Sequence, residues 1–99
     1  IMMVWASDLP LGQHQIAQVT RHASLALGRV GSVMAPSSGD YALGFSTAAR
    51  VPYGPGAPAF LPTFALHPAQ LGPVFEATVE AFEEAQLNAI LASYAPLAK

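Results

Sequence analysis

Two hydroxyls and a carboxylate stand within four residues at Ser37–Ser38–Gly39–Asp40. A serine and an aspartate two residues apart can hydrogen-bond, and a carboxylate that holds a hydroxyl proton orients and polarises that hydroxyl. The same residue types are the default material of turns, so spacing alone leaves a plain connection as the alternative. Three histidines, His14, His22 and His67, offer less. His14 and His22 are eight residues apart, roughly two helical turns, whereas a metal ion shared along a helix wants ligands four apart. Surface or structural histidines are the simpler reading, and His67, just before Pro68, reads as a loop residue near a helix start. Glu76, Glu80, Glu83 and Glu84 could hold a metal or move protons, but their pattern is that of a solvated helix face. Glu84 and Asn88, at i and i+4, suggest a hydrogen bond along that face.

These residues need elements to position them. Ile1–Ser7 is a short apolar run stopped by Asp8–Leu9–Pro10, and predicts a strand with both faces covered. From Gln13 to Arg29, the apolar positions Ile16, Val19, Ala23 and Leu27, with Val30 just beyond, recur at spacings of three and four and predict one amphipathic helix, stopped at Gly31. Ser32–Asp40 is a polar connection punctuated by Pro36 and Gly39. Tyr41–Ala49 predicts a second strand, with the small residues Ala42, Gly44 and Ser46 on one face, where another layer or a ligand approaches closely. Arg50–Pro68 is an irregular Pro/Gly/Ala loop carrying Tyr53, Phe60 and Phe64, too aromatic for a flexible linker. A long helix is expected from Pro73 to about Tyr94, closed by Pro96, with its glutamates in the first half where negative charge suits the helix dipole. The order is β–α–β–loop–α.

The composition constrains what such a chain can be. It has 99 residues, 53% hydrophobic and 10% charged, with no cysteine and a net charge of −2. Low charge with high hydrophobicity excludes a disordered chain, and the lack of cysteine excludes a disulfide scaffold or thiolate metal site. Four scattered basic residues argue against nucleic acid as a partner, and no apolar run approaches the ~20 residues of a membrane span. Yet a soluble domain usually carries ~25% charged residues. Two strands also cannot make a stable sheet alone. Much of this surface is therefore expected to face another polypeptide. The first residue is Ile1, which suggests a processed product or a piece of a longer protein. The absence of cysteine suits either cytoplasm or periplasm.

Several segments together carry a family resemblance. IMMVWASDLP (1–10), QHQIAQVTRHASLALGRVGS (13–32), SSGDYALGFSTA (37–48) and EATVEAFEEAQLNAIL (76–91), in that order, resemble the C-terminal part of the D-aminopeptidase/β-peptidyl aminopeptidase family. Its members are the N-terminal-nucleophile-like serine hydrolases also called L-aminopeptidase/D-esterases. The loop 50–67 matches least.

The resemblance implies an α/β fold: a four-layer α-β-β-α sandwich of the N-terminal-nucleophile-like type, completed with strands from a larger partner chain. Residues 1–99 would be the C-terminal (β) subunit of one domain that cuts itself, assembled with the α chain as an (αβ)n oligomer, a tetramer by resemblance. The activity implied is that of an aminopeptidase without cofactor or metal. It would act on short peptides, amides or esters with a free amino end, D- and β-amino acid ends among them. The nucleophile implied is a serine immediately ahead of the position matched by Ile1, and that serine is not among the 99 residues. By the same resemblance, Ser38 and Asp40 match the family's second serine and acidic residue. Ser38 would help activate the nucleophile, and Asp40 would orient Ser38 or contact the α-amine. Some members carry Glu where this chain has Asp40, one methylene longer. Ser37 reads as a turn residue, and the groups that bind the substrate amine and the oxyanion would lie on the α chain. A free α-amine, with a pKa of about 7.7–8.0, can take the hydroxyl proton of its own residue, so no histidine is required. Two alternatives remain: an acetyltransferase of the ornithine-acetyltransferase type with a threonine nucleophile, and a non-catalytic packing subunit.

Overall fold

A computed structural model describes residues 1–94. Strand β1 (Met2–Ser7) leads through two helices, α1 (Gln13–Arg21) and α2 (Ala23–Arg29), to strand β2 (Tyr41–Ser46); a single 3-10 turn (Pro68–Gln70) then runs into the long helix α3 (Leu71–Tyr94). The result is a small mixed α/β domain with a two-stranded sheet. The expected order of elements is thus reproduced, with shifted edges. The second strand ends at Ser46 rather than Ala49, and α3 begins two residues ahead of Pro73. Pro73 still lies in the first turn, where no intrahelical partner awaits its missing N–H. The expected closure at Pro96 lies outside the described residues.

The single helix expected over Gln13–Arg29 is two helices, and His22 explains the break. In an unbroken helix the His22 N–H would bond the carbonyl of Gln18. Here the imidazole Nδ1 takes that carbonyl at 2.8 Å, and the His22 N–H turns to Val19 O at 3.0 Å. The Thr20 hydroxyl also donates back to Ile16 O at 2.7 Å, a bond that bends helices. α2 stops as its sequence predicts. Gly31 takes φ +96°, and the N–H groups of Gly31 and Ser32 satisfy Gly28 O and Leu27 O.

β1 and β2 pair in parallel, Met2 opposite Tyr41 through Ser7 opposite Ser46. Side chains alternate between faces of a strand. Met3, Trp5 and Ser7 therefore share one face with Ala42, Gly44 and Ser46, and all three helices pack there. Gly44 is the closest approach: a Cβ on it would meet Ile16 Cγ2 at 3.2 Å and fall inside the Thr20 hydroxyl. The small face anticipated for β2 is thus the seat of α1. Met3 joins Ala23, Ala26, Leu27, Val79 and Phe82 in one core cluster; Leu11, Val19 and Leu71 form a second, and Trp5 packs against both. The other sheet face, with Met2, Val4, Tyr41, Leu43 and Phe45, is bare among the described residues, where the sequence led us to expect both faces of β1 covered.

The loop 50–67 is tied down at its end. Buried Gln15 donates through Nε2 to Leu66 O at 2.6 Å and accepts the Leu66 N–H through Oε1 at 2.9 Å, so one side chain closes both backbone groups. Along α3, Val79 and Phe82 are buried, whereas Leu87, Ile90, Leu91 and Tyr94 are exposed.

Candidate active site

The polar connection delivers Ser38 and Asp40 to the start of β2. Ser38 N–H closes a turn on Ala35 O at 2.8 Å, and Met34, upstream, holds a left-handed φ of +49° with its N–H on Ser32 Oγ at 3.2 Å. Beyond the turn the chain meets β1. The Ile1 nitrogen donates to Gly39 O at 3.1 Å, and Tyr41 N–H donates to Ile1 O at 2.9 Å. The parallel ladder therefore extends one residue ahead of β1, and Asp40 faces Ile1 across it.

At this edge the Ser38 hydroxyl donates to Asp40 Oδ1 at 2.8 Å, and the same oxygen lies 3.3 Å from the Ile1 nitrogen. Asp40 thus gathers two donors on one oxygen. These donors favour the ionised form, and the Asp40 carboxyl is held below its ordinary range. Ser38 contributes most; partial burial opposes it; the hydrogen bond from the Ile1 nitrogen adds to the lowering. The carboxylate side chain is only 9% exposed. It forms one lip of a cleft of about 390 Å³ between the α1–α2 junction and the start of β2, with Met3, Leu27 and Met34 among its walls. Because Ser38 spends its proton on Asp40, its oxygen lone pairs are free to accept a hydrogen bond from a third group.

The other candidates take structural parts. His22 stacks on Phe75, ring centroids 4.0 Å apart, besides breaking the helix. His67 Nδ1 accepts the Ala69 N–H at 3.1 Å and caps the 3-10 turn, and His14 is exposed. Glu76, Glu80 and Glu84 are exposed, and Glu83 pairs with Arg29 at 3.0 Å on the surface. Glu84 and Asn88 make no hydrogen bond to each other, contrary to the expectation from their spacing, and both are exposed. Among the described residues no cluster of three or more His, Asp or Glu side chains could hold a metal ion, and no helix is long and apolar enough to cross a membrane. Sequence reasoning missed the Ile1 nitrogen. A backbone donor carries no side-chain signature, and only the register of the parallel pair places it against Asp40.

The chain has known relatives. The model of peptidase family S58 matches residues 1–96. The chain belongs to this family. Among curated proteins, the S58 chain is 37% identical over 95 residues to a β-peptidyl aminopeptidase, BapA, of Sphingosinicella xenopeptidilytica, and 34% identical over 94 residues to BapA of Sphingosinicella microcystinivorans. Each match covers 94% of the chain but 23% of the relative, so this S58 chain spans about a quarter of the relatives' length. Among solved structures, the PH0078 protein of Pyrococcus horikoshii OT3 superposes with a TM-score of 0.76 at 36% identity, over 86% of this chain and 24% of that one. The family is one of peptidases, and the two Sphingosinicella relatives are named aminopeptidases.

Proposed function

We propose that this chain is the small subunit of a serine aminopeptidase, and that its nucleophile is a serine joined to the nitrogen of Ile1. The observation that carries the reading is the Ser38–Asp40 pair with the Ile1 nitrogen on the same carboxylate oxygen. Whatever residue is bonded to that nitrogen stands beside Ser38. With a residue ahead of it, the Ile1 nitrogen becomes an amide N–H that still donates to Asp40, and the ammonium charge moves one residue outward.

The chemistry follows from this placement. Asp40 accepts the hydrogen bond of the Ser38 hydroxyl and turns the Ser38 oxygen toward the nucleophile as an acceptor. The serine hydroxyl attacks the carbonyl carbon of the substrate's amino-terminal residue, and its proton passes to its own α-amine, directly or through Ser38. Collapse of the tetrahedral intermediate breaks the C–N or C–O bond, and the α-ammonium returns the proton to the leaving group. An acyl-enzyme remains, which water hydrolyses by the same proton path. The substrates proposed are short peptides, amides or esters with a free amino end, D- and β-amino acid ends among them; the names of the Sphingosinicella relatives support the β-amino acid ends.

The partner proposed is a larger α chain released from the same precursor by self-cleavage ahead of the serine, with residues 1–99 as the β subunit. The bare sheet face, with Tyr41 66% and Leu43 63% exposed, supports a second sheet from that chain and hence the four-layer sandwich, assembled further into an (αβ)n oligomer. The relatives' greater length supplies the material for it. The test is to express the full-length precursor and read the mass and first residue of each subunit, then assay amino-acyl p-nitroanilides. A serine-headed small subunit with turnover is expected, and an alanine in that serine's place should leave the precursor uncut. A residue without hydroxyl or thiol ahead of Ile1 would end the proposal.

A further inference from the structure

Tyr41 opens the bare face of the sheet, and its ring does not lie flat across that face toward Leu43. It leans back over Gly39: a methyl built on Gly39 would stand 3.3 Å from Tyr41 Cε2 and 3.8 Å from Oη. Gly39 does not have a left-handed φ, so its glycine is explained by room for this ring rather than by backbone conformation. The phenol makes no hydrogen bond among the described residues, and the residue is 66% exposed.

The parallel register shows what the ring adjoins. Met2 lies opposite Tyr41, so the position ahead of Ile1 lies opposite Gly39, about 4.8 Å away at strand spacing. The side chains of Met2 and Tyr41 share the bare face, Asp40 lines the cleft on the helical one, and the position ahead of Ile1 stands at the strand end between the two. The ring therefore fills the place of a side chain at Gly39, next to the nucleophile of the proposed mechanism. Its neighbours on that face, Met2, Val4 and Leu43, are apolar, and with the partner's sheet laid over them the open end of the face at Tyr41 is where a substrate side chain enters. Ser38 and Asp40 supply the polar side of the same strand edge.

We propose that Tyr41 is a specificity-determining residue, whose ring forms one wall of the seat for the substrate's amino-terminal side chain and selects an apolar one of substantial size. The inference rests on the proposed nucleophile ahead of Ile1. An acyl group bonded to that hydroxyl projects along the face the ring occupies, and apolar contact there discriminates in the acylation transition state.

The experiment uses the full-length, self-processed enzyme and p-nitroanilides that share one leaving group while the amino-terminal side chain runs from methyl to isobutyl to benzyl. Wild type is expected to favour the larger side chains. Tyr41→Ala should lower the benzyl-to-methyl ratio of kcat/KM about tenfold or more, leaving the methyl substrate within about threefold of wild type. Tyr41→Phe, which keeps the ring, should preserve the ratio. Gly39→Ala, which pushes the ring aside without removing it, should shift the ratio in the direction of Tyr41→Ala. If Tyr41→Ala is not processed, Tyr41→Leu carries the same comparison. A uniform loss across the series, or ratios unchanged in active variants, overturns the assignment of Tyr41 and leaves the aminopeptidase reading standing. Wild type without turnover on any member of the series, or on the matching β-amino acid amides, ends both.

Discussion

Replacing Ser38 with alanine removes one oxygen and tests the site through two independent readouts. In the structure that oxygen gives its proton to Asp40 at 2.8 Å, while the Ile1 nitrogen approaches the same carboxylate at 3.3 Å. A positioned proton-relay group contributes about 10²–10⁴-fold to rate, so kcat for an amino-acyl p-nitroanilide should fall by that amount. KM should stay within about threefold, because Ser38 serves the nucleophile and makes no contact reserved for bound substrate. The second readout is Asp40 itself. The Ser38 bond is the largest cause of its lowered pKa, so the variant's carboxyl should titrate higher, toward the ordinary value of about 3.9. The sign for stability follows: a carboxylate with a depressed folded pKa stabilises the fold above its unfolded pKa and loses that contribution as pH falls through the folded value. In wild type the loss is complete only below the ordinary carboxylate range. In Ser38→Ala the contribution is smaller and is gone at a higher pH. Carbon-13 titration of labelled aspartate, with the acid limb of kcat, reads both. A variant turning over at the wild-type rate with the Asp40 titration unmoved would refute the pairing as the functional unit.

Three further outcomes follow from the packing. Gly44→Ala drives a methyl into Thr20, whose hydroxyl is already committed to Ile16 O, so overpacking and that bond together should cost about 2–4 kcal/mol in chemical denaturation of the full protein; Gly44→Ala with Thr20→Ala should recover much of it, and no recovery would mean the clash lies elsewhere. Gln15→Ala leaves the Leu66 N–H and carbonyl without partners, each worth about 1–3 kcal/mol when buried, and should expose the 50–67 loop to limited proteolysis several times faster than in wild type. Gln86 is buried with its Oε1 unpartnered among the described residues and its Nε2 on Met3 Sδ at 3.8 Å, so Gln86→Met should be neutral or stabilising by up to about 1–3 kcal/mol; a clear loss of stability would reveal a donor to Oε1 from outside residues 1–94.

Much of this architecture was legible in local sequence, for identifiable reasons. Gly31 ended α2 because the left-handed residue it supplies completes the terminal hydrogen bonds, and the small residues of β2 marked where α1 comes closest. Ser38 and Asp40 could be singled out because their chemistry is in their side chains. The break at His22 was hidden, because an imidazole competing for a backbone carbonyl looks in sequence like any helical histidine. Gln15 was hidden too: its partner Leu66 is 51 residues away, and no periodicity reports a contact of that range. The bare face of the sheet could not be distinguished from a covered one, since β1 is apolar on both sides and its composition records what is buried in the whole protein.

The position of the site follows from parallel pairing. Both strands begin at the same end, so the residues just ahead of them, Ile1 and Asp40, lie side by side although 39 positions separate them. An antiparallel pair would have set the start of one strand against the end of the other, and Ser38 and Asp40 would not have had the Ile1 nitrogen beside them. The crossover that parallel pairing requires is α1 with α2, and Gly44 lets α1 settle on β2. The helical layer thus fixes the lateral position of the strands, the ladder fixes their register, and the register brings the Ile1 nitrogen to the carboxylate that already accepts a hydrogen bond from Ser38. A substitution in this packing can therefore impair chemistry without touching a polar group. Gly44→Ala should move β2 against β1 and lengthen the Ile1–Asp40 contact, lowering kcat with Ser38 and Asp40 both in place, and its partner change Thr20→Ala should restore rate and stability together. Recovery of stability without recovery of rate would mean that the strand edge is positioned by something other than α1.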